Sequence, residues 1–433
     1  MKAAPDQDRA LGMDYYITDG PGCGGVLRSS PVDFRVAEVF QDQRYEGGKY
    51  LVLEIEKTNW DTHHLIREMA RHLRISQKRF GFAGTKDKRA VSSQRISIMN
   101  LDESELKRVH LPDLKVRVLG RTNRSVGLGD LLGNRFRIWI REMSCRDPET
   151  GLLRISEEIR DHGGVPNYFG VQRFGDARPV THRVGEALVR GRIEEAVFIY
   201  LAMPFPGELE KTREARRALW ENRDITSALK SYPDYLIFEL AMLNYLVEHP
   251  GDYAGSFGVL SQNLRRLFVH AYQSCLFNRI VSRRMEQGLP LDRAVVGDVV
   301  CFARGGQPDP VSLQAVTEEN RDAVNRLAER GRAFVTLPLI GFDTALAVGA
   351  QGEIESRVLW EEGVAPEDFR VKENPDLGSP GTRRAAMLRV EPEIRVEGSS
   401  AELDFFLPAG SYATVLLREY MKSVTVIPEK RGE

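Results

Sequence analysis

Phe80-Gly81-Phe82-Ala83-Gly84-Thr85-Lys86-Asp87-Lys88-Arg89-Ala90-Val91-Ser92-Ser93-Gln94 sets one acid in a polar turn among cations, between two strand-like runs. Residues 80–82 read as a short apolar strand. Residues 94–99 alternate again, with Ile96 and Ile98 on one face. Gly84 is expected to permit a backbone turn that a side chain would forbid. Asp87 therefore stands at a strand-to-strand connection, where a rigid scaffold commonly holds reactive groups. Lys86, Lys88 and Arg89 favour its ionised form and would attract a polyanion. An anionic nucleophile inside a phosphate-binding rim points to chemistry on a nucleotide. Taken alone, a Lys-Asp-Lys turn is usually a solvated hairpin tip, and composition and spacing do not lift Asp87 above that reading.

The 433 residues suffice for two or three domains with sizeable cores. A net charge of −1 excludes a chain that is basic all over, yet leaves room for a local basic cleft. Cys23, Cys145, Cys275 and Cys301 lie far apart, with no close pair of the zinc-ribbon type, which points to free thiols and a reducing cytoplasm. His63 and His64 are adjacent, and no histidine pair has helical metal-site spacing, so no metal is expected. The sequence holds no apolar run long enough for a membrane span. Residues 1–14 are polar and carry acids, unlike a signal peptide.

Residues 1–24 read as a loose lead-in. Residues 34–40 and 50–56 alternate as strands, and Asp61 or Thr62 caps a helix to Leu73 with Leu65, Met69 and Leu73 on one stripe. Further strands are expected at 115–119 and 136–140, then a helix over 149–162 stopped by Gly163-Gly164. Strands outnumber helices here, giving an α+β domain with a mostly antiparallel sheet. From about Gly185 the pattern turns helical, over 193–201, 210–221, 236–248 and 265–287. A strand at 295–303, a loop at 304–310, a helix at 317–330 and an exposed loop at 366–384 follow. Strands at 386–396 and 401–407 lead to a C-terminal helix through Lys422, with Ser411 as its cap.

The Asp87 segment resembles the TruD family of tRNA pseudouridine synthases. The resemblance rests on Gly84, Lys86, Asp87, Ala90, Ser92 or Ser93, and Gln94. Four further motifs follow in the family's order, at 132–136, 165–175, 273–278 and 407–414, and residues 28–38 resemble its opening strand. Departures are small: Ser stands where the family often has Thr near Gln94, and Arg28 where some members have Lys.

The resemblance, of an archaeal type, implies the pseudouridine synthase fold, α+β, with a family-specific α/β insertion. The catalytic domain would span 1–190 and 386–433, and the insertion 191–385. It implies a cofactor-free isomerase acting on a tRNA uridine, at position 13, in the cytoplasm and as a monomer. Asp87 would be the catalytic carboxylate. It would act either by attacking ribose C1′ or by removing the 2′ proton to give a glycal, and the sequence leaves both routes open. Arg28 would hold Asp87 charged and in position. Phe169 would pack on the extruded base and Asn167 would orient active-site groups. Lys86, Lys88, Arg89, Arg173 and Arg178 are candidate phosphate contacts. Gln273 and Ser274 would bind RNA or buttress the insertion. Two other readings stay open. One is an RNA-binding protein without turnover. The other is a nucleoside hydrolase, which would usually need two carboxylates.

Overall fold

Asp61 accepts a hydrogen bond from the amide of His64 and starts the Thr62–Leu73 helix, which closes at Arg74 in the left-handed conformation. The inward stripe of Leu65, Met69 and Leu73 follows the sequence spacing and is joined by Ile66. It packs on Leu51, Leu53, Ile55, Ile96 and Ile98 of the sheet beneath. The computed structural model describes residues 1–41, 44–127, 129–422 and the backbone of 425–426. The chain divides into two compact units: a sheet unit (18–165 and 389–433) and a helical unit (1–17 and 166–388).

The sheet unit carries strands β1 (Val26–Leu27), β2 (Phe34–Phe40), β3 (Tyr50–Thr58), β4 (Phe80–Phe82), β5 (Val91–Met99), β6 (Leu114–Thr122) and β7 (Leu131–Arg141). The sheet runs Glu393–Glu397, Ser400–Pro408, β7, β2, β5, β3, β6, with β4 on β5 and β1 on β7. Most described ladders are antiparallel; β2 with β5, and β1 with Thr425–Val426, are parallel. The fold class is thus α+β with a mostly antiparallel sheet, as the sequence predicts. Strand β5 is shared between neighbours. Val91 to Ser93 pair with β2, and Ile96 to Ile98 pair with β4. The 83–90 segment joins these two ladders and carries Asp87.

The helical unit is built around the 25-residue helix Gln262–Glu286. It also holds a four-stranded antiparallel sheet in the order Gln307–Ala315, Val299–Arg304, Ala333–Leu339, Thr382–Ala385. Several local expectations are corrected here. The 1–24 lead-in is packed: Leu11, Met13, Tyr16, Ile17, Thr18 and Cys23 are buried. Residues 307–310 form part of an edge strand. Pro308 and Pro310 fit there because an edge tolerates lost amide donors, and the register shifts after Pro308. The 366–384 stretch is not an exposed loop, since Phe369 and Leu377 are fully buried and Phe369 stacks on Tyr272. The expected 386–396 strand is broken, ending at Leu388 and resuming at Glu393. The Ala413–Met421 helix begins at Tyr412 with no side-chain cap, so Ser411 does not cap it.

The packing carries a stability prediction. Ile96 has no exposure at the centre of the helix-on-sheet core. Ile96→Ala should destabilise the sheet unit by about 2–5 kcal/mol, read as an earlier urea transition by circular dichroism.

Candidate active site

The Asp87 loop is anchored from below. The Lys86 amide donates to Thr62 Oγ1 at 3.0 Å, and that hydroxyl donates to Gln94 Oε1 at 3.0 Å. Thr62 and Gln94 are both buried. The Lys86 ammonium donates to Glu38 Oε1 at 2.5 Å, and Glu38 Oε2 accepts from the Arg95 amide at 2.9 Å. Gly84 lies outside the left-handed region, and a Cβ there would meet only the Lys86 ammonium, at 3.9 Å. The expected backbone need for glycine is therefore absent. Side-chain anchors, rather than glycine, shape this turn.

Arg28 donates to Asp87 Oδ2. Its guanidinium also lies over the Phe34 ring, 4.2 Å from the centroid, which restricts where the charge can sit. Arg28 adopts φ 59°, a left-handed conformation that costs a non-glycine residue roughly 1–2 kcal/mol. The Arg28 side chain is mostly buried, while that of Asp87 is 52% exposed. A carboxylate fixed on one side and open on the other can receive a substrate.

The five expected phosphate cations divide. Lys88 is exposed on the Asp87 loop. Arg89 is partly buried and donates to the Ser29 carbonyl at 3.2 Å. Arg173 donates to Ser274 Oγ at 3.1 Å. Lys86 is buried against Glu38. Arg178 donates to the carbonyls of Ile199, Tyr200 and Met203, and burial pushes it down to about 10. For Lys86 and Arg178 the phosphate expectation gives way to internal roles, because their donors already have buried partners.

Asn167 and Phe169 lie in the helical unit, held by a dense polar frame. Asn167 Nδ2 donates to the Ala385 carbonyl at 2.8 Å, and Arg384 donates to Asn167 Oδ1 at 2.5 Å. The Arg384 guanidinium lies 4.2 Å from the centroid of the Phe169 ring, which also meets Phe277 edge-on. Phe169 is 7% exposed. Asn278 accepts from the Phe169 amide and donates to the carbonyls of Phe169 and Leu11. Gln273 donates to the Ile340 carbonyl and to Ser379 Oγ. The 273–278 motif therefore buttresses the Asn167–Phe169 segment.

Sequence reasoning missed Glu38, Lys57, Thr62 and Arg384. Glu38 and Thr62 lie on elements that it placed correctly, whereas Lys57 lies just past the expected 50–56 strand, which runs on to Thr58, and pairs across from Ser92 on the core face. That pairing is a register fact with no local signal. Lys57 is buried and donates to the Trp60 carbonyl. Burial pushes its amine down to about 8, opposed by Asp61, Asp87 and Glu38 and aided by Lys86. Among the described residues, no group of three or more His, Cys, Asp or Glu is arranged to hold a metal, and no helix is long and apolar enough to cross a membrane.

Comparison with known proteins agrees with this architecture. The sequence model of the tRNA pseudouridine synthase D (TruD) family matches residues 10–420. A protein of Methanococcoides burtonii described as "Probable tRNA pseudouridine synthase D" is 48% identical, over 98% of each chain. A Pyrococcus furiosus protein of the same description is 39% identical, over 94% of this chain and 98% of the relative. A crystal structure of a TruD protein from Methanosarcina mazei superposes with a TM-score of 0.84. It is 48% identical and covers 98% of this chain and 99% of its own. The fold is that of the pseudouridine synthases. Within that class, the chain belongs to the tRNA pseudouridine synthase D (TruD) family.

Two measurements probe the frame. The unfolded chain holds the Lys57 proton more tightly than the folded one. This group's burial penalty is therefore complete below about pH 8 and is relieved as pH rises toward 10.5. Wild type should gain about 1–3 kcal/mol over Lys57→Met across that window, measured by urea unfolding at a series of pH values. Asn278→Ala strips the Phe169 amide of its partner in a buried site. It should cost the helical unit about 1–3 kcal/mol, read as a lowered melting temperature.

Proposed function

We propose that this protein isomerises a uridine of tRNA, at position 13, to pseudouridine, with Asp87 as the catalytic carboxylate. The observation that carries this reading is an accessible carboxylate, paired with Arg28, on a loop braced from beneath. The reaction breaks the bond from ribose C1′ to uracil N1 and forms one from C1′ to C5. N1 gains a proton and C5 gives one up, so no oxidant or energy source is needed. An ionised carboxylate serves either by adding to C1′ or by taking the 2′ proton. Arg28 holds Asp87 in its reactive position through a charge-assisted hydrogen bond.

The uridine must leave its stack before it can react. Phe169, with the guanidinium of Arg384 upon it, receives the base, and Asn167 fixes that platform through its carboxamide. Lys88, Arg89 and Arg173 contact phosphates. The protein works without a cofactor, as a monomer, in the cytoplasm.

The test is incubation with unmodified tRNA and no cofactor, followed by pseudouridine mapping, for wild type and for Asp87→Asn. The substitution conserves shape and removes charge. Turnover should fall at least about 10³-fold, with tRNA affinity within about twofold of wild type. An Asp87→Asn protein that turned over normally would end the assignment. Free uracil as the product would favour a hydrolase, and binding without product a non-catalytic RNA-binding protein.

A further inference from the structure

We propose that the Glu38–Lys86 ion pair positions the Asp87 carboxylate for reaction and takes no part in gripping RNA. The inference rests on the pseudouridine synthase reading above. Lys86 immediately precedes Asp87 and is held at two points. Its amide is fixed by Thr62, whose hydroxyl is tied to Gln94. Its ammonium is fixed by Glu38, 2.5 Å away. Glu38 belongs to β2 and accepts the amide of Arg95 on β5 through its second oxygen. The side chain of Glu38 is 1% exposed and that of Lys86 is 8% exposed. A carboxylate so enclosed cannot touch a polynucleotide. An ammonium so engaged would have to abandon it, leaving a buried unpaired charge, before reaching a phosphate.

Lys86 therefore ties the Asp87 loop to two strands and a helix. Its ammonium reaches β2 and β5 through Glu38, and its amide reaches, through Thr62, the helix that follows β3. With both anchors set, the remaining freedom of Asp87 is its own side-chain rotation, which Arg28 restrains. Reaction at ribose C1′ or at the 2′ proton demands that the oxygen sit within a fraction of an ångström of its target. Misplacement by about 1 Å costs on the order of 10²-fold in rate.

A positioning role and a phosphate role leave different signatures. Glu38→Gln keeps shape and removes the charge that holds Lys86. Lys86→Met keeps length and removes the ammonium. The double variant leaves no unpaired charge in the site, and it carries the test should either single variant unfold. Single-turnover rates on unmodified tRNA and equilibrium binding across a salt series are measured for each.

Each variant should lose roughly 10²-fold in rate, the double variant no more than either single one. Affinity and its dependence on salt should match wild type. Glu38→Gln at the wild-type rate, or Lys86→Met with weakened binding and a salt slope reduced by about 0.7–0.9, would overturn the proposal. Wild type that formed no pseudouridine would overturn the parent reading and this inference with it. Product from wild type alongside a normal Glu38→Gln overturns this inference alone.

Discussion

The register of β5 against β3 is the constraint from which the site follows. Leu51 faces Ile98, Leu53 faces Ile96, and Ile55 faces Gln94. The apolar members of these pairs must lie beneath the Thr62–Leu73 helix. A slip of one residue would turn the whole set toward the opposite face. Fixing that register also fixes what continues along the same face beyond the core, namely Gln94, Ser92 and Lys57. Polar groups thus take over where the apolar contact ends, and the Asp87 loop closes over them. Hydrophobic packing chooses the alignment, and the chemistry is placed by it.

This polar end of the core is electrostatically costly. Lys57 is buried and donates to the Trp60 carbonyl, and Glu38 and Lys86 are removed from water together. Replacing such pairs with apolar side chains is often neutral or stabilising. Their presence beneath a loop bearing an accessible acid is therefore understood better through position than through stability. The arrangement resembles other functional sites, in which local strain or buried charge persists because the surrounding fold over-determines it. Arg28, left-handed and stacked on Phe34, fits the same pattern.

Much of the sheet unit was legible because its signals are local. The alternation in residues 34–40 and 50–56, the Asp61 cap and the Leu65-Met69-Leu73 stripe each depend on near neighbours, and each stands where expected. Elements that depend on distant partners were not legible. Residues 307–310 look like a loop by their prolines and become strand only because they occupy a sheet edge. Phe369 and Leu377 sit in a polar, proline-bearing stretch whose burial is decided by Tyr272 and its surroundings. Residue identity marked Asp87 and Arg28 only through motif likeness. The groups that hold the loop, Glu38 and Thr62, carry no signature, because their importance comes from who meets them across the sheet. Lys86 shows the limit most plainly: a cation beside an acid in a turn looks like surface, and is buried.

The helical unit is discontinuous in a way that bears on how it is made. Asn278 and Ser282 hold the backbone of Leu11, Gly12 and Asp14, partners separated by 267 to 270 positions. During translation at about 5–20 residues per second, the opening segment waits roughly 15 to 50 s for the long helix that will bind it. For that interval Leu11, Met13 and Tyr16 are apolar side chains without their final neighbours. Growth of the nascent polypeptide therefore leaves this apolar segment uncovered for a time, and its docking is a late event in biogenesis.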